Sequence, residues 1–303
     1  MRESSYVIKR VRRSGYLYLV FFLPFVYYLV FHYAPMYGLL IAFQKYNIVK
    51  GISGSRWVGF DNFRKFLIDP YFWKLVRNTL LLNIYNLVWG FPAPILLALL
   101  INEVRRKNFK RFVQSVSYLP HFISTVVVCG MIVNFLTNDG PINGILKIFG
   151  AEPTQFLVKP EWFRTIYVAS DIWQTIGWNS IIYTAAICSV DAELYDAALI
   201  DGAGRFGLVR HITLPSIMPT ISIMLVLALG KLMSIGFEKI ILLYNGSTYE
   251  TADVISTYVY RRGLLGSDFS YATAVGLFQS LVGFMLLATS NKITKRLGET
   301  GLW

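Results

Sequence analysis

Long runs of apolar residues without charge are the feature that most constrains this chain. A bilayer core of about 30 Å is crossed by about 20 apolar residues in a helix, and six stretches of the 303-residue sequence reach that length. Charged residues make up 15% of the chain, against about 25% in an ordinary soluble domain. We therefore predict an all-α membrane protein, a single transmembrane domain over 1–303, with spans at about 15–43, 78–102, 116–137, 165–190, 217–243 and 271–291.

Lysine and arginine set the expected orientation of the spans. Basic residues concentrate beside span ends on the cytoplasmic face, and the densest cluster lies between the second and third spans: Arg105, Arg106, Lys107, Lys110 and Arg111. We therefore expect both termini in the cytoplasm, an extracytoplasmic loop at about 45–76 and a cytoplasmic loop at 191–216. The apolar stretch after the basic patch at 9–13 is too long for a signal-peptide core, so it is read as an uncleaved span. The net charge of +12 then serves mainly to anchor span ends at anionic lipid.

The expected extracytoplasmic loop interleaves aromatic and charged residues, as in WVGFDNFRKFLIDPYFW. Such a segment is typical of an amphipathic helix at the membrane surface. It equally suits a surface for an extracytoplasmic partner, and the two interpretations are compatible.

The sequence lacks the residue patterns of several other classes of functional site. Cys129 and Cys188 both fall in apolar runs and are read as small hydrophobic residues, without disulfide or zinc spacing. The three histidines, His32, His121 and His211, are dispersed. The chain offers no basic soluble module for nucleic acid, and no G-x-x-x-x-G-K-[ST] phosphate loop occurs. We expect no catalytic residue, metal or cofactor in this chain.

The segment YDAALIDGAGRFGLVRH at 195–211 contains GAGRFG, which matches the G-x-G-x-x-G dinucleotide fingerprint. That fingerprint needs a strand before it and a second strand ending in an acid about 20 residues on. Here the preceding segment is acidic and predicted helical, and the following segment enters a membrane span. The glycines are therefore interpreted as the turn of a helix-turn-helix elbow. Ser189 or Asp191 caps the first helix, Gly202 and Gly204 end it, and a second short helix follows over 205–213.

This elbow resembles the EAA loop of permeases in ATP-binding-cassette (ABC) importers. The family pattern is E-A-A, three residues, Gly, nine residues and Ile-x-Leu-Pro. The sequence has Asp196-Ala197-Ala198, Gly202 and Ile212-Thr213-Leu214-Pro215 at those spacings. Aspartate stands where the family has glutamate, which keeps the acid and shortens it by one methylene.

Longer strings resemble the carbohydrate branch of that family. LYDAALIDGA…ITLPSIMP looks like the members that are similar to the maltose permeases. The N-terminal RRSGYLYLVFFLPFVYYLVFHYAPMYGL and the tail KRLGETGLW look most like the LplB-like subgroup for oligosaccharides and polysaccharides. The resemblance extends over essentially the whole chain.

The resemblance implies a type I importer (MetI-like) fold of six helices, with the elbow between the fourth and fifth spans. It implies a permease subunit without enzymatic activity, in the bacterial cytoplasmic membrane, that pairs with a second permease. Two copies of a cytosolic ATPase would hold ATP and Mg²⁺, and an extracytoplasmic solute-binding protein would deliver a carbohydrate, most often an oligosaccharide. The residues implied in ATPase coupling are Asp196, Ala197, Ala198, Asp201, Gly202, Ile212, Leu214 and Pro215.

Polar residues at mid-span are costly in a bilayer, so they indicate either a substrate path or hydrogen bonds between helices. Lys231 and Glu238 are seven residues apart, so a continuous fifth helix would place them on one face. There Lys231 would meet a substrate carboxylate or join a network with Glu238. The residues predicted for the path are Asn83, Asn86, Trp89, Gln174, Trp178, Asn179, Lys231, Glu238 and Gln279.

Three alternatives stay open. An importer of the same class could carry a solute other than sugar. An ion-coupled secondary transporter would use acids at mid-membrane, and the first four spans supply only Asp171. A membrane enzyme such as a glycosyltransferase would need clustered acids or metal ligands at one interface, and the sequence contains no such cluster.

Overall fold

The computed structural model describes residues 15–296, 301 and 302. The basic patch at 9–13 and residues 297–300 and 303 of the tail lie outside the described residues, and so do the predictions that rest on them. In chain order the elements are α1 (Gly15–Phe43), β1 (Gln44–Lys45), α2 (Gly51–Gly54), β2 (Arg56–Trp57), α3 (Asp61–Leu67), α4 (Phe72–Glu103), α5 (Lys107–Phe122), α6 (Thr125–Phe135), α7 (Pro141–Ile148), α8 (Pro160–Cys188), α9 (Ala192–Ile200), α10 (Arg205–Gly230), α11 (Phe237–Leu243), α12 (Tyr249–Ala252), α13 (Ile255–Val259) and α14 (Phe269–Arg296). Short 3₁₀ turns lie at Phe156–Val158 and Gly246–Thr248, and a π turn at Tyr260–Leu265 follows α13.

Long apolar helices dominate the described part of the chain. Four of them, α1, α4, α10 and α14, are long and apolar enough to cross a membrane, and α5 with α6 makes a fifth if that bent pair is one span. The predicted spans at 15–43, 78–102 and 271–291 fall within α1, α4 and α14. Helix α8 covers the predicted fourth span and is 29 residues long. Its polar side chains make it less apolar than α1, α4, α10 and α14. The fold is therefore helical, with one antiparallel ladder pairing β1 with β2.

The third predicted span, 116–137, is not one straight helix in the structure. Helix α5 ends at Phe122 and α6 begins at Thr125, with a bend of 100° between them. Ser124 is extended between the two helices and accepts a hydrogen bond from the Val127 N–H at 3.4 Å, which starts α6 as a new helix. The N-cap serine therefore outweighs the continuous apolar pattern.

The fifth predicted span, 217–243, is not one continuous helix either. Helix α10 begins at Arg205, ends at Gly230, and is separated from α11 by the non-helical residues 231–236. A π turn at Val209–Thr213 precedes Pro215 inside α10. The wider turn accommodates the missing proline N–H, so the helix continues through this point.

One compact unit comprises the chain up to Leu67 together with Arg262–Leu277. Within it, the buried Asn62 donates from Nδ2 to the carbonyl oxygens of Ala42 at 2.9 Å and Gln44 at 3.0 Å. The ring of Trp57 stacks on Phe43 with centroids 5.7 Å apart. These contacts fasten α3 and the β ladder to the end of α1.

The second unit comprises Ile68–Arg261 and the chain from Phe278 onward. At one end of this unit the C-terminal half of α4 packs on α8 and α10 in a cluster of Ile95, Ala98, Leu99, Tyr183, Ile187 and Ile217. At the other end, Leu82 of α4 packs with Phe163, Tyr167 and Val168 of α8 and with Ile240 of α11. Helices α4 and α8 therefore lie side by side in the same direction.

An ion pair organises the segment after α11. Asp253 is buried, and both of its carboxylate oxygens accept from Arg261, at 2.8 Å from Nη1 and 2.7 Å from Nη2. The hydrogen bonds to Asp253 raise the pKa of the Arg261 guanidinium above its usual value. This pair fixes α12 and α13 outside the predicted membrane spans.

Candidate functional site

The elbow at 191–204 has the turn that the sequence predicts. Asp191 caps α9 by accepting the Glu193 N–H at 3.0 Å. Gly202 has a φ of +82°, and its N–H donates to the Leu199 carbonyl at 3.1 Å while the Ala203 N–H donates to Ala198 at 2.9 Å. These two bonds are the pair that defines a Schellman motif, so Gly202 is the left-handed C′ residue of α9.

The residues predicted for ATPase coupling fall on two different elements. Asp196, Ala197 and Ala198 lie on α9, and Asp201 and Gly202 form its turn. The remaining three, Ile212, Leu214 and Pro215, lie inside the continuous helix α10 rather than in a loop. Leu214 packs against the cluster that joins α4 to α8.

A hydrogen bond that the motif does not reveal joins the two parts of the elbow. The hydroxyls of Tyr195 on α9 and Thr213 on α10 are 3.0 Å apart, and Thr213 is buried. Helix α9 is therefore fastened directly to the long helix that follows it.

The elbow exposes large apolar side chains around its turn. Ile200 is 87% exposed and Phe206 is 76% exposed. Leu194 and Leu199 are also exposed. Sequence reasoning named the acid and alanines of the motif but missed Ile200 and Phe206, because amphipathic spacing cannot tell a core face from a docking face.

The predicted path residues do converge in part. Asn83, Asn86, Asn179 and Lys231 line a cavity of about 440 Å³ between α4, α8 and α10. Gln174 and Glu238 line an adjoining cavity of about 750 Å³, beside the bend at Ile123 and the start of α11. The walls of the two cavities have Tyr167, Asp171, Thr175 and Gly236 in common.

The other three path residues lie outside both cavity walls. Trp89 is 65% exposed on α4. Trp178 stacks on His121 with centroids 4.4 Å apart. Gln279 of α14 donates to the backbone carbonyl of Met233.

Lys231 and Glu238 do not share a helix face, contrary to the expectation. Lys231 directly follows the last residue of α10 and Glu238 is the second residue of α11, so the non-helical segment between the two helices separates them. Lys231 is exposed in the cavity wall, and within the described residues no ion pair holds it.

Side chains from other helices donate hydrogen bonds to backbone carbonyls in the break of the fifth span. Asn83 Nδ2 donates to the Leu232 carbonyl at 2.9 Å, and Gln279 donates to Met233. Backbone without helical hydrogen bonds is tolerated at membrane depth only where other groups pair with it. The sequence allowed two roles for polar residues at mid-span, a substrate path or hydrogen bonds between helices. Asn83 and Gln279 make hydrogen bonds between helices.

A charged pair beside the cavities was not among the predicted site residues: Asp171 lies in the wall common to both cavities, and Lys239 lies in the wall of the 750 Å³ cavity. Lys239 Nζ lies 3.3 Å from Asp171 Oδ1, and the lysine side chain is 8% exposed. Asn86 Nδ2 donates to the second oxygen, Asp171 Oδ2, at 3.1 Å, and the Lys239 ammonium lies 5.4 Å from the Tyr167 ring centroid. The π turn Asn86–Gly90 of α4 presents Asn86 to this pair.

Comparison with known proteins identifies the family. The model of the family described as "Binding-protein-dependent transport system inner membrane component" matches residues 90–297, from the π turn of α4 to the end of the last helix. The chain belongs to this family. The match confirms the family resemblance inferred from the elbow motif.

Relatives and solved structures cover the permease almost end to end. It is 46% identical to the polygalacturonan/rhamnogalacturonan transport system permease protein YteP of Bacillus subtilis (strain 168), covering 100% of this chain and 94% of that protein. It is 44% identical to Protein LplB of the same organism, covering 97% and 92%. A crystal structure of a bacterial alginate ABC transporter, in complex with an alginate pentasaccharide-bound periplasmic protein, contains a chain with a TM-score of 0.88 and 44% identity, covering 97% and 99%.

Proposed function

We propose that this permease is the membrane subunit of an ATP-driven, binding-protein-dependent importer of carbohydrates, most often oligosaccharides. The observation that carries the proposal is the elbow: a rigid Schellman turn with Asp196 and Ala197 exposed beside Ile200 and Phe206. Relatives named for the transport of polysaccharides, with near-complete coverage of the chain, support the substrate class.

The proposed topology has six spans and cytoplasmic termini in the bacterial inner membrane. Helices α1, α4, α10 and α14 form the first, second, fifth and sixth spans. The bent pair of α5 and α6 forms the third span, and α8 forms the fourth. Helix α11 extends the fifth span beyond its break. The apolarity of four helices and the long α8 support this arrangement.

The proposed partners follow from the elbow and the family. Two copies of a cytosolic ATPase carry ATP and Mg²⁺ and receive the elbow in a groove. A second permease completes the path, and an extracytoplasmic solute-binding protein delivers the sugar. The chemistry of ATP hydrolysis is assigned to the ATPase.

A continuous helix links the elbow to the cavity. Helix α10 runs from Arg205, next to the turn, to Gly230, beside Lys231 in the cavity wall. Its 26 residues correspond to about 39 Å at about 1.5 Å per residue. A displacement of the elbow on ATP binding therefore moves one wall of the cavity.

The proposed substrate carries carboxylates. One relative is named for polygalacturonan, and a structurally similar transporter imports the acidic polysaccharide alginate. Lys231 is the exposed cation of the 440 Å³ cavity, while the charge of Asp171 in the same wall is balanced by Lys239. We expect Lys231→Gln to reduce uptake of an acidic oligosaccharide more than uptake of its carboxyl-reduced, neutral form. Equal effects on both substrates would remove Lys231 from the proposal.

Charge reversal on the elbow tests the proposed coupling. Asp196→Arg should leave the chain in the membrane and remove the ATPase from the purified complex, because the exposed carboxylate is the proposed partner of basic groups on the ATPase. Glu193→Arg is the matched control, since it reverses an exposed acid on the same helix outside the motif. Retention of a full ATPase complement by Asp196→Arg, with unchanged uptake, would refute the coupling role.

A further inference from the structure

The cavity of about 750 Å³ contains an acid that no protein group neutralises. Two acids line this cavity, Asp171 and Glu238. Asp171 is held by Lys239 and Asn86. Glu238 is exposed in the first turn of α11, and no hydrogen bond or ion pair holds its carboxylate in the described part of the chain. The Glu238 carboxylate is therefore available to a ligand.

Two exposed aromatic rings line the same cavity from different elements. Phe122 ends α5 and is 71% exposed, and Phe237 begins α11 and is 37% exposed. Each ring is held by another one. Phe122 meets the Trp178 ring edge to face with centroids 5.7 Å apart, and Phe237 stacks on Tyr260 with centroids 5.3 Å apart. Both rings are therefore fixed in place while part of their surface lines the cavity.

Aromatic rings beside a carboxylate match the chemistry of a sugar. A pyranose ring has an apolar face of C–H groups and a rim of hydroxyls, and a carboxylate accepts charge-assisted hydrogen bonds from such hydroxyls. Walls of aromatic side chains with a few placed polar groups are typical of small-molecule sites. An organic cation would also suit aromatic rings and a carboxylate, but the Lys231 ammonium in the adjoining cavity opposes a cation here. The wall therefore favours a sugar.

The two adjoining cavities present opposite charges to one substrate. Lys231 is the exposed cation of the 440 Å³ cavity, and Glu238 is the exposed acid of the 750 Å³ cavity. A uronate ring carries its carboxylate on one edge and two neighbouring hydroxyls on the opposite edge. Because like charges repel, the substrate carboxylate is directed away from Glu238 and toward Lys231.

We propose that the 750 Å³ cavity is a sugar subsite that selects substrates by their hydroxyls. The Glu238 carboxylate accepts hydrogen bonds from two neighbouring ring hydroxyls, and the rings of Phe122 and Phe237 pack on the apolar face of the sugar. The subsite rests on the proposed function of carbohydrate import. It adds a preference for free hydroxyls to the preference for carboxylates assigned to Lys231.

The test compares two substrates in proteoliposomes that contain the complete transporter: an acidic oligosaccharide and the same compound with its ring hydroxyls methylated. Each is supplied on saturating solute-binding protein. Uptake by a variant is divided by wild-type uptake of the same substrate, so that the preference of the binding protein cancels. Glu238→Gln replaces charge-assisted hydrogen bonds by weaker neutral ones, and we expect it to reduce uptake of the free-hydroxyl substrate by about tenfold. Uptake of the methylated substrate, which has no hydroxyl to donate, should not fall.

Glu161→Gln is the matched control for this variant. Glu161 is an exposed acid in the first turn of α8 and lies outside both cavity walls, so Glu161→Gln should take up both substrates like the wild type. Equal proportional losses of the two substrates in Glu238→Gln, or no loss of either, would overturn the proposal. Absence of ATP-dependent uptake in the wild type would instead contradict the proposed function, so the two failures are distinguishable.

A second measurement needs only the free-hydroxyl substrate. Phe122→Leu removes a ring from the cavity wall and should reduce uptake by about threefold, whereas Phe122→Trp keeps a ring there and should retain uptake. Phe135→Leu is the control, because Phe135 is 45% exposed at the end of α6 and lies outside both cavity walls. Wild-type uptake by Phe122→Leu would contradict packing of the sugar on this ring.

Discussion

At Gly202 the φ of +82° belongs to the left-handed region that favours glycine. A Cβ there would meet no atom within 4 Å, so the cost of Gly202→Ala is backbone strain alone, about 1 kcal/mol. We expect weaker ATPase retention and slower uptake in this variant. Gly204→Ala is the control: its φ is −76° and its surroundings are equally open. Equal behaviour of the two variants in co-purification would show that the turn geometry does not matter.

Lys239 forms an ion pair with Asp171, which lies in the wall common to the two cavities. Lys239→Met leaves Asp171 with the Asn86 amide as its side-chain partner in the described structure, and an unpaired charge in a protein interior is strongly destabilising. Because Asp171 is 27% exposed, we expect a loss of about 2 kcal/mol, below the range for a fully buried pair. Thermal unfolding of the purified complex measures it.

The control for this pair neutralises both members. Asp171→Asn/Lys239→Met has no uncompensated charge and should recover most of the stability lost in Lys239→Met. If Lys239→Met were as stable as the wild type, the ion pair would make no contribution to stability.

The break at 231–236 depends on side chains of neighbouring helices, which donate hydrogen bonds to its backbone carbonyls. Asn83→Leu and Gln279→Leu each remove the donor to one of its carbonyls, and a buried carbonyl without a partner costs about 1–3 kcal/mol. We expect both variants to unfold at lower temperature. Asn179→Leu should unfold like the wild type, because Asn179 is exposed and no hydrogen bond is seen for it in the described structure. Equal stability in all three would contradict the assigned role of Asn83 and Gln279.

The elements also show how far the sequence predicts the fold. Uncharged runs predicted α1, α4 and α14 because a membrane helix satisfies its own backbone locally. The Schellman turn was predicted from Gly202 for the same reason. The break after Gly230 was not predicted, because KLMSIG is apolar enough to continue a span and its carbonyls are satisfied from far away. Asn83 is 149 residues from its acceptor, and Gln279 is 46 residues from its own.

In the candidate site, too, local features were predicted from the sequence and long-range contacts were not. Asn83, Asn86, Asn179 and Lys231 were predicted as path residues from polarity at depth, and all four line one cavity. Polarity alone could not separate those that fasten backbone from those that face the cavity. The pairing of Asp171 with Lys239, across 68 residues, depends on the packing of α8 against α11, which no local pattern encodes.

In the assembled transporter, a movement of the elbow must reach the cavity through α10. That movement requires an ATPase as the energy source. An ion-coupled secondary transporter would use acids at mid-membrane, and the acid that the first four spans supply, Asp171, is held by Lys239 and Asn86.

The most direct test is uptake by the complete transporter in proteoliposomes, with the solute-binding protein and a labelled acidic oligosaccharide added outside. The account predicts uptake when ATP is enclosed, no uptake when either ATP or the binding protein is omitted, and no uptake when a proton gradient is imposed without ATP. Accumulation driven by the proton gradient alone, with ATP absent, would contradict it.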